Sequence, residues 1–413
     1  MTRIFYGWVI VGGAFLVLFT AYGSQYAFGV FFSSLLEEFG WSRAELAGVF
    51  SLYTFLYCSL GLPAGWLTDR WGPRAVIASG GLFLGGGLAG MSLVTALWQP
   101  YLFYGVVAAI GMSTAYVPCS VTVVRWFVRR RGLAFGVASR GGSLGTFALP
   151  VAAAALVSTL GWRGAYVVFG VGLLVMLNLV ALVMKANPEL LGLLPDGERE
   201  PPAGVALALE EQWPFSRAVR TVAFWMLFGI FAATWVPVFV PFVHVVPFAR
   251  DLGISPLLAA TAVSALGIAA FFGRVIMGGV SDRLGRKSAM AISLALQALA
   301  FLGFAAVGGL ASLYLAAVVF GFSYGAISTL FPTMVSDFFG RQEAGTLVGF
   351  LFAMAGSMGA LGPVGAGWIY DTTGSYTWAF LLGALANGVG LALLLAARSP
   401  APRRSRTPAA SPT

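Results

Sequence analysis

The chain has 413 residues, of which 59% are hydrophobic and only 9% are charged, and its formal net charge is +9 at pH 7. Its mean hydropathy is +0.88, whereas soluble domains carry roughly 25% charged residues. This composition excludes a soluble globular protein and leaves no segment for a soluble catalytic domain. The sequence therefore predicts an integral membrane protein.

Long apolar runs follow one another along the chain, each near or above the roughly 20 residues that cross a bilayer as a helix. They predict twelve transmembrane helices, at residues 8–32, 44–66, 74–96, 100–124, 132–158, 164–184, 220–248, 257–280, 288–308, 311–336, 343–366 and 376–397. With an even number of spans, both termini lie on the same side of the membrane.

Basic residues are placed unevenly between the two sides of this predicted bundle. With both termini in the cytoplasm, all but five of the 24 Lys and Arg fall in cytoplasmic segments. Arg43, Arg163 and Arg250 lie in outside loops, where we expect a solvated charge such as Arg43 to have no function, and Arg140 and Arg274 lie within spans. Such asymmetry is a topogenic signal. It predicts a multi-pass inner (plasma) membrane protein with cytoplasmic termini, and it accounts for the positive charge without nucleic acid.

One ten-residue pattern occurs twice. Residues 65–74 read GWLTDRWGPR and residues 278–287 read GGVSDRLGRK, so both fit G-x-x-x-D-R-x-G-x-[RK] at a separation of 213 positions. A repeat at half the chain length predicts two homologous six-helix halves. The predicted organisation is an N-terminal half at 1–185, a cytoplasmic linker at 186–219, a C-terminal half at 220–397 and a cytoplasmic tail at 398–413.

Each copy of the pattern places an Asp-Arg pair at the cytoplasmic end of a span. The pairs are Asp69 with Arg70 and Asp282 with Arg283. An aspartate in such a loop can pair with an arginine in one conformation and release it in another. We therefore predict a gating role for both pairs, with a purely topogenic role as the alternative.

Arg274 lies inside the eighth apolar run. On helical spacing it shares a face with Gly267, Ala270, Phe271 and Gly278, so its charge projects among small or apolar neighbours. An ionisable residue at membrane depth is costly and is by default a functional candidate. We expect Arg274 to bind an anionic ligand. The alternatives are a side chain that snorkels to the cytoplasmic edge and an ion pair with a neighbouring carboxylate.

The doubled D-R-x-G motif in a chain of twelve predicted spans resembles the major facilitator superfamily of secondary transporters, and the resemblance covers all twelve spans. Residues 125–136, RWFVRRRGLAFG, followed by GGSLG at 141–145, are similar to a signature of the monocarboxylate transporter family and its bacterial relatives, which include the oxalate/formate exchangers. The resemblance implies the major facilitator fold: an all-α membrane protein with twelve helices in two pseudo-symmetric halves.

Other positions refine this resemblance. The phrase PELLGLLPDG at 188–197 and the pair FW at 224–225 resemble the bacterial branch of the family. The resemblance also implies that Arg274 is the eighth-helix arginine that binds the substrate carboxylate.

The chain departs from the family at the groups used for proton coupling. In the animal transporters a carboxylate stands one turn before the arginine, where this chain has Ala270, and a lysine follows the first-helix Tyr-Ala-Phe motif, where this chain has Gly29 and Val30. The eleventh-helix lysine of the oxalate exchanger has no counterpart in residues 346–365. One clear cationic ligand favours a monocarboxylate over a dicarboxylate.

Two tyrosines are candidates for the walls of the substrate cavity. Tyr116 and Tyr324 lie in the fourth and tenth spans, and a phenol can donate to a carboxylate while its ring packs against the rest of the substrate. Plain helix packing is the alternative for both. Ser143, Phe352 and Ser357 are weaker candidates, because small polar residues more often serve helix packing.

Two titratable residues complete the candidate site. Arg140 could be a second anion contact or could snorkel toward the cytoplasm. His244 is the only histidine, and its ordinary pKa near neutrality makes it the proton-coupling candidate. An interfacial hydrogen-bonding role is the alternative for His244.

We therefore expect a secondary active transporter that moves a small organic monocarboxylate, of the lactate or pyruvate type, by alternating access, with or without a proton. An organic anion exchanger of the oxalate/formate type is the main alternative. An exporter of an apolar compound, an anion receptor and a membrane-embedded enzyme are further alternatives, but the chain lacks H-E-x-x-H, P-loop and G-x-S-x-G motifs. We expect no cofactor, metal, nucleic acid or obligate protein partner.

Overall fold

The computed structural model describes residues 5–127, 131–197, 215–339 and 344–398. Within these ranges, ten helices contain a stretch long and apolar enough to cross a membrane. They are α1 (Gly7–Phe39), α2 (Arg43–Met91), α3 (Trp98–Trp126), α4 (Arg131–Val183), α5 (Val222–Asp251), α6 (Pro256–Leu284), α7 (Arg286–Ala305), α8 (Leu310–Phe339), α9 (Leu347–Thr373) and α10 (Thr377–Ala396). The chain is therefore a multi-pass, all-α membrane protein, as the sequence predicts.

Helices α2 and α4 each contain a sharp bend at a glycine. Gly72 has φ 79° and ψ 160°, and Gly161 has φ 69° and ψ 167°. Only glycine adopts these positive φ values at low conformational energy, because in other residues the Cβ would clash with the backbone. The bends fall between the second and third predicted spans and between the fifth and sixth. They account for the difference between ten continuous helices and twelve predicted spans.

The repeated D-R-x-G pattern forms the same turn in both halves. Its last glycine is Gly72 in the first copy and Gly285 in the second, and Gly285 has φ 83° and ψ 147°. The first glycine bends α2, and the second separates α6 from α7, which begins at Arg286. The sequence repeat is therefore a structural repeat, and it marks equivalent ends of the two halves.

Local sequence also fixes where helices begin. Ser42 accepts a hydrogen bond from the backbone N–H of Glu45 at 3.1 Å, while the Glu45 carboxylate accepts one from the Ser42 N–H at 2.9 Å. This reciprocal capping box satisfies two amides at the start of α2. Thr221 and Ser255 cap the starts of α5 and α6 in the same manner, without the second partner.

Helices α1–α4 form the N-terminal half and helices α5–α10 the C-terminal half. Within each half, some helices approach backbone to backbone at glycines. A Cβ at Gly145 of α4 would collide with the carbonyl of Phe19 in α1, and a Cβ at Gly273 of α6 would collide with the carbonyl of Phe322 in α8. Small residues of this kind allow close packing in a membrane. They fix α6 firmly against α8.

The two halves also meet at glycines. A Cβ at Gly29 would lie 2.8 Å from the carbonyl oxygen of Phe242, which joins α1 to α5. At Gly267 it would lie 2.7 Å from the backbone nitrogen of Phe147, which joins α6 to α4. At Gly367 it would lie 2.8 Å from Ala44 Cα, which joins α9 to α2. We call Gly29, Gly267 and Gly367 the interface glycines.

The bundle has two distinct ends. The Arg43 face is the end that carries the α1–α2 and α5–α6 connections, and the Asp69 face is the end that carries the D-R-x-G turns. On the Arg43 face, Arg43 pairs with Asp251 at 2.7 Å and Arg250 pairs with Glu37. Both ion pairs join the two halves. They close this end of the bundle.

Ion pairs on the Asp69 face lie within single halves over the part of the chain that the structure describes. Asp69 pairs with Arg125 at the end of α3 at 2.5 Å, and Arg286 pairs with Asp337 near the end of α8 at 2.5 Å. In both halves a residue of the D-R-x-G turn thus pairs with a residue near the end of another helix of the same half. Neither pair holds the halves together.

Candidate functional site

Arg274 lies on α6 and reaches across the interface between the halves. Its Nη1 donates to Ser143 Oγ on α4 at 2.7 Å and more weakly to the Ser139 carbonyl at 3.5 Å. Its Nε donates to Ser328 Oγ on α8 at 3.3 Å. Arg274 and Ser143, both predicted site residues, are therefore in direct contact. Ser328 and Ser139 were not predicted.

The partners of Arg274 are all electrically neutral. Its hydrogen bonds go to hydroxyls and a carbonyl, and no carboxylate pairs with it among the residues that the structure describes. The guanidinium is near enough to the phenols of Tyr22, Tyr26 and Tyr116 to interact with them electrostatically. A positive charge without a counter-ion at this depth is costly. The arrangement suits an incoming anion.

Tyr324 joins the halves beside this arginine. Its hydroxyl lies 2.9 Å from the hydroxyl of Tyr26 on α1, and either can donate. The Tyr324 side chain is buried, and Tyr324 lies on the same helix as Ser328. The sequence predicts Tyr324 as a wall of the site. Its partner Tyr26 lies in the Tyr-Ala-Phe motif, which could have indicated it.

Tyr116 and Phe352 come together at a cavity between the two halves. The ring of Tyr116, on α3, stacks on that of Phe352, on α9, with centroids 6.4 Å apart. Tyr22 and Met112 also line the cavity. Tyr116 is 41% exposed despite its position inside a membrane-spanning helix. These two predicted residues thus line the same cavity.

A second cavity lies in the C-terminal half. Tyr324 and Ser328 line it, together with Trp235 and Gln297. The hydroxyl of Ser328 also accepts a hydrogen bond from Arg274, so the arginine lies next to this cavity. Trp235 and Gln297 were not predicted from the sequence.

Ser357 and Arg140 lie at other points of the interface. Ser357 Oγ is 3.2 Å from Ser59 Oγ of α2 and also donates to the Ala353 carbonyl. The Arg140 guanidinium carbon lies 5.5 Å above the ring centre of Phe271, which is a cation–π distance. Neither residue bonds to Arg274. Arg140 is nevertheless one turn before Ser143 on the same face of α4.

The predicted gating residues lie on the Asp69 face. Asp69 pairs with Arg125, and the Arg70 guanidinium lies 5.5 Å from the ring centre of Trp66. Arg283 is exposed. The side chain of Asp282 lies outside the described part of the structure.

His244 lies far from solvent on α5. It is fully buried, with Nδ1 2.9 Å from the hydroxyl of Tyr376 and Nε2 2.9 Å from the Pro363 carbonyl. Because a carbonyl only accepts, Nε2 carries a proton and Nδ1 accepts from Tyr376. Both ring nitrogens are therefore occupied. The imidazole ties α5 to α9 and to the start of α10.

Arg43 differs from the sequence expectation. The expectation of a solvated loop charge is wrong, because only 14% of the Arg43 side chain is exposed. Its two terminal nitrogens donate to the Asp251 carboxylate at 2.8 and 2.7 Å, and Nη1 also donates to Tyr376 at 2.8 Å. Asp371 accepts from the backbone N–H of Arg43 at 3.0 Å. These partners are distant in sequence and come together only in the folded bundle.

No group of three or more His, Cys, Asp or Glu side chains gathers to hold a metal ion within the described ranges. The chemistry available at the centre of the bundle is therefore that of a guanidinium, several phenols and several hydroxyls. This set can bind an anion but provides no nucleophile with an adjacent base.

Comparison with known proteins agrees with this fold. The family model described as Major Facilitator Superfamily matches residues 14–363 and 237–412. The chain is 30% identical over 394 residues to human (Homo sapiens) monocarboxylate transporter 11, covering 91% of this chain and 80% of that protein. It is 29% identical over 405 residues to monocarboxylate transporter 12 of Rattus norvegicus, covering 91% and 82%. The chain belongs to the major facilitator superfamily and, within it, to the monocarboxylate transporter family.

Solved structures show the same fold at lower identity. A bacterial homologue of the human lysosomal transporter Spinster, in an inward-facing and unoccupied conformation, gives a TM-score of 0.71 at 17% identity and covers 96% of both chains. A POT family transporter in complex with 5-aminolevulinic acid gives 0.74 at 15% identity, covering 94% of this chain and 95% of that one. The solved structures show the fold alone, and it is the membership of the major facilitator superfamily that makes the protein a membrane transporter and not an enzyme.

Proposed function

We propose that this protein is a secondary active transporter of a small organic monocarboxylate, of the lactate or pyruvate type, and that Arg274 binds the carboxylate. One observation carries the proposal: a guanidinium inside a membrane-spanning helix whose described partners are all neutral. A carboxylate would supply the missing counter-ion through charge-assisted hydrogen bonds. The names of the similar proteins, monocarboxylate transporters 11 and 12, support the same substrate class.

The rest of the site has a role in this proposal. Ser143 and Ser328 hold the guanidinium from either side, so that it stays at the interface between the halves. Tyr116 and Phe352 provide a surface for the alkyl part of the anion, since aromatic rings offer large apolar contact area. Ser357 contributes at the edge, where it contacts Ser59.

We further propose that transport proceeds by alternating access between the halves 1–185 and 220–397, joined by a linker at 186–219. The Asp69 face is assigned to the cytoplasm of an inner-membrane protein with both termini inside, because Lys and Arg are concentrated there. With its Arg43 face closed by inter-half ion pairs, the bundle then corresponds to an inward-facing state. Asp69, Arg70, Asp282 and Arg283 act when the cytoplasmic end closes.

A proton accompanies the anion in the first version of this proposal. The occupied ring nitrogens of His244 favour entry of the proton on the substrate, or on a phenol of the site, over a relay through the histidine. In the second version the protein exchanges organic anions of the oxalate/formate type. Arg140 favours this version, because it supplies a second cation one turn from Ser143.

The decisive experiment is uptake of radiolabelled L-lactate into proteoliposomes at outside pH 5.5 and pH 7.5. Arg274→Ala and Arg274→Lys are compared with Arg220→Ala, an exposed arginine just before α5 that belongs to neither the site nor the gating pairs. We expect saturable uptake that is abolished by Arg274→Ala, reduced roughly 10- to 100-fold by Arg274→Lys, and retained in Arg220→Ala. Faster uptake at the lower pH supports proton coupling, whereas uptake that requires an internal organic anion supports exchange.

Equal uptake by Arg274→Ala and the unchanged protein would refute the carboxylate site. Size-exclusion chromatography of each variant before reconstitution separates loss of binding from loss of folding.

A further inference from the structure

The cavity in the C-terminal half contains polar atoms without partners. Gln297 projects from α7, and it is completely buried. Neither its amide nitrogen nor its amide oxygen has a hydrogen-bond partner among the described residues. The indole Nε1 of Trp235, on α5, is also buried without a partner. Both side chains line the same cavity.

Unpaired buried polar groups are rare, because each loses its hydration on folding without compensation. Buried serine hydroxyls of this half avoid that loss. Ser293, one turn before Gln297 on α7, donates to the Ala289 carbonyl at 2.8 Å, and Ser323 on α8 donates to the Phe320 carbonyl at 2.8 Å. Gln297 instead extends to the cavity wall. Its amide is therefore available to a group inside the cavity.

The cavity is small and borders the anion site. The volume open to the centre of a water molecule is about 10 Å³, which admits one group of the size of a water molecule. Phe231 and Ile327 form apolar parts of the wall, while Ser328 both lines the cavity and accepts from Arg274. Only the Ser328 hydroxyl would thus separate a group in the cavity from a carboxylate bound to Arg274.

We propose that this cavity is a subsite for the second polar group of the substrate, and that Gln297 and Trp235 determine its specificity. The inference rests on the proposed function, because it presupposes a carboxylate at Arg274. Gln297 Nε2 and Trp235 Nε1 donate to the oxygen on carbon 2 of the acid, and Gln297 Oε1 accepts from it when that oxygen is a hydroxyl.

The three unpaired atoms predict an order of preference among the possible substrates. A 2-hydroxy acid satisfies both donors and the acceptor. A 2-oxo acid satisfies only the donors and leaves Gln297 Oε1 unpaired. An unsubstituted acid satisfies none of the three atoms. The expected order of preference is therefore L-lactate, then pyruvate, then propionate, since a site built to bond a hydroxyl discriminates against the analogue that lacks it.

The test compares the initial uptake of L-lactate and propionate, which differ by one hydroxyl, into proteoliposomes. Gln297→Leu and Trp235→Phe remove the polar atoms and keep apolar volume. Gln25→Leu is the matched control, because Gln25 is also a buried amide with both atoms unpaired, but it lies on α1 and outside this cavity. Each variant is first checked for a monodisperse peak by size exclusion.

We expect Gln297→Leu to reduce Vmax/KM for L-lactate about tenfold and to leave that for propionate within about twofold. Trp235→Phe should act in the same direction, and Gln25→Leu should preserve the ratio of the two acids. An unchanged ratio in both Gln297→Leu and Trp235→Phe would overturn the proposal and assign a resident water to the cavity. A loss of uptake in Arg274→Ala together with that unchanged ratio would leave the proposed function intact. Failure of the unchanged protein to move either acid would refute both the proposed function and this subsite.

Discussion

Arg43 and Asp251 join the two halves of the bundle through two hydrogen bonds, of 2.8 and 2.7 Å, in a bidentate pair. The same guanidinium donates to Tyr376 and lies 3.7 Å from the ring centre of Tyr370. All three partners belong to the C-terminal half. One arginine of the N-terminal half is thus held by hydrogen bonds, charge and a cation–π contact at the closed end.

We predict that Arg43→Ala shifts the protein toward a state open at the Arg43 face. The substitution removes the ion pair that only the closed state forms, so the ratio of open to closed protein should rise at least about tenfold, or about 1.4 kcal/mol. Spin labels on cysteines introduced at Trp98 and Leu257, which are exposed on this face of opposite halves, report the change as a longer distance. The native Cys58 and Cys119 are buried.

Arg163→Ala is the control for this prediction. Arg163 pairs with Glu38 at 2.6 Å on the same face, but both residues belong to the N-terminal half. We expect its distance distribution to match that of the unchanged protein. A matching distribution in Arg43→Ala as well would show that the ion pair does not hold the halves together.

A second prediction concerns the packing of α6 against α8. Gly273→Ala should reduce uptake more than about tenfold, because the new Cβ meets the Phe322 backbone and separates Arg274 from Ser328 on α8. Gly278→Ala is the control on the same helix, since nothing lies within 4 Å of its new Cβ. Alanine there should leave uptake within about twofold and stabilise the helix by roughly 0.5–1 kcal/mol.

A third prediction concerns the hydroxyl pair Tyr26 and Tyr324, whose oxygens are 2.9 Å apart. Tyr26→Phe and Tyr324→Phe each remove the same single hydrogen bond. The double variant should therefore lose no more uptake than the stronger single variant, with a coupling energy of about 0.5–1.5 kcal/mol. Additive losses in the cycle would mean that each hydroxyl contacts the substrate separately.

A fourth prediction assigns His244 to stability. His244→Leu should lower the unfolding temperature, because the Tyr376 hydroxyl and the Pro363 carbonyl lose their partner, at a cost of about 1–3 kcal/mol. The ratio of uptake at pH 5.5 to that at pH 7.5 should not change. Tyr376→Phe removes the hydrogen bond to His244 and also the acceptor of the Arg43 hydrogen bond, so it should lower the unfolding temperature by a comparable amount. A collapse of the pH ratio in folded His244→Leu would instead make the histidine a proton carrier.

Much of the fold could be predicted from the sequence, because its signals are local. Long apolar runs indicate spans directly, and the glycines of the D-R-x-G repeat, Gly72 and Gly285, are required by positive φ values. The bends at Gly72 and Gly161 join spans that the sequence pattern separates. The boundaries of the predicted linker and tail stay predictions, since residues 198–214 and 399–413 lie outside the described ranges.

The site was only partly predictable. Arg274 is conspicuous because a charge interrupts an apolar run, and the predicted Ser143 contacts it. Gln297 and Arg43 were missed because their roles depend on tertiary contacts: one lines a cavity, and the other reaches Asp251, 208 positions away. The local sequence around an arginine does not distinguish a solvated side chain from one held in a tertiary ion pair.

The interface glycines have a practical consequence. Gly29, Gly267 and Gly367 each bring a helix of one half against the backbone of the other, so a single methyl group at any of them acts as a wedge. Because a wedge penalises only the conformation in which the backbones touch, alanine at these positions should leave each half intact. Combining two such alanines therefore offers a route to trapping the opposite conformation for crystallography or cryo-electron microscopy, without an inhibitor or a nanobody.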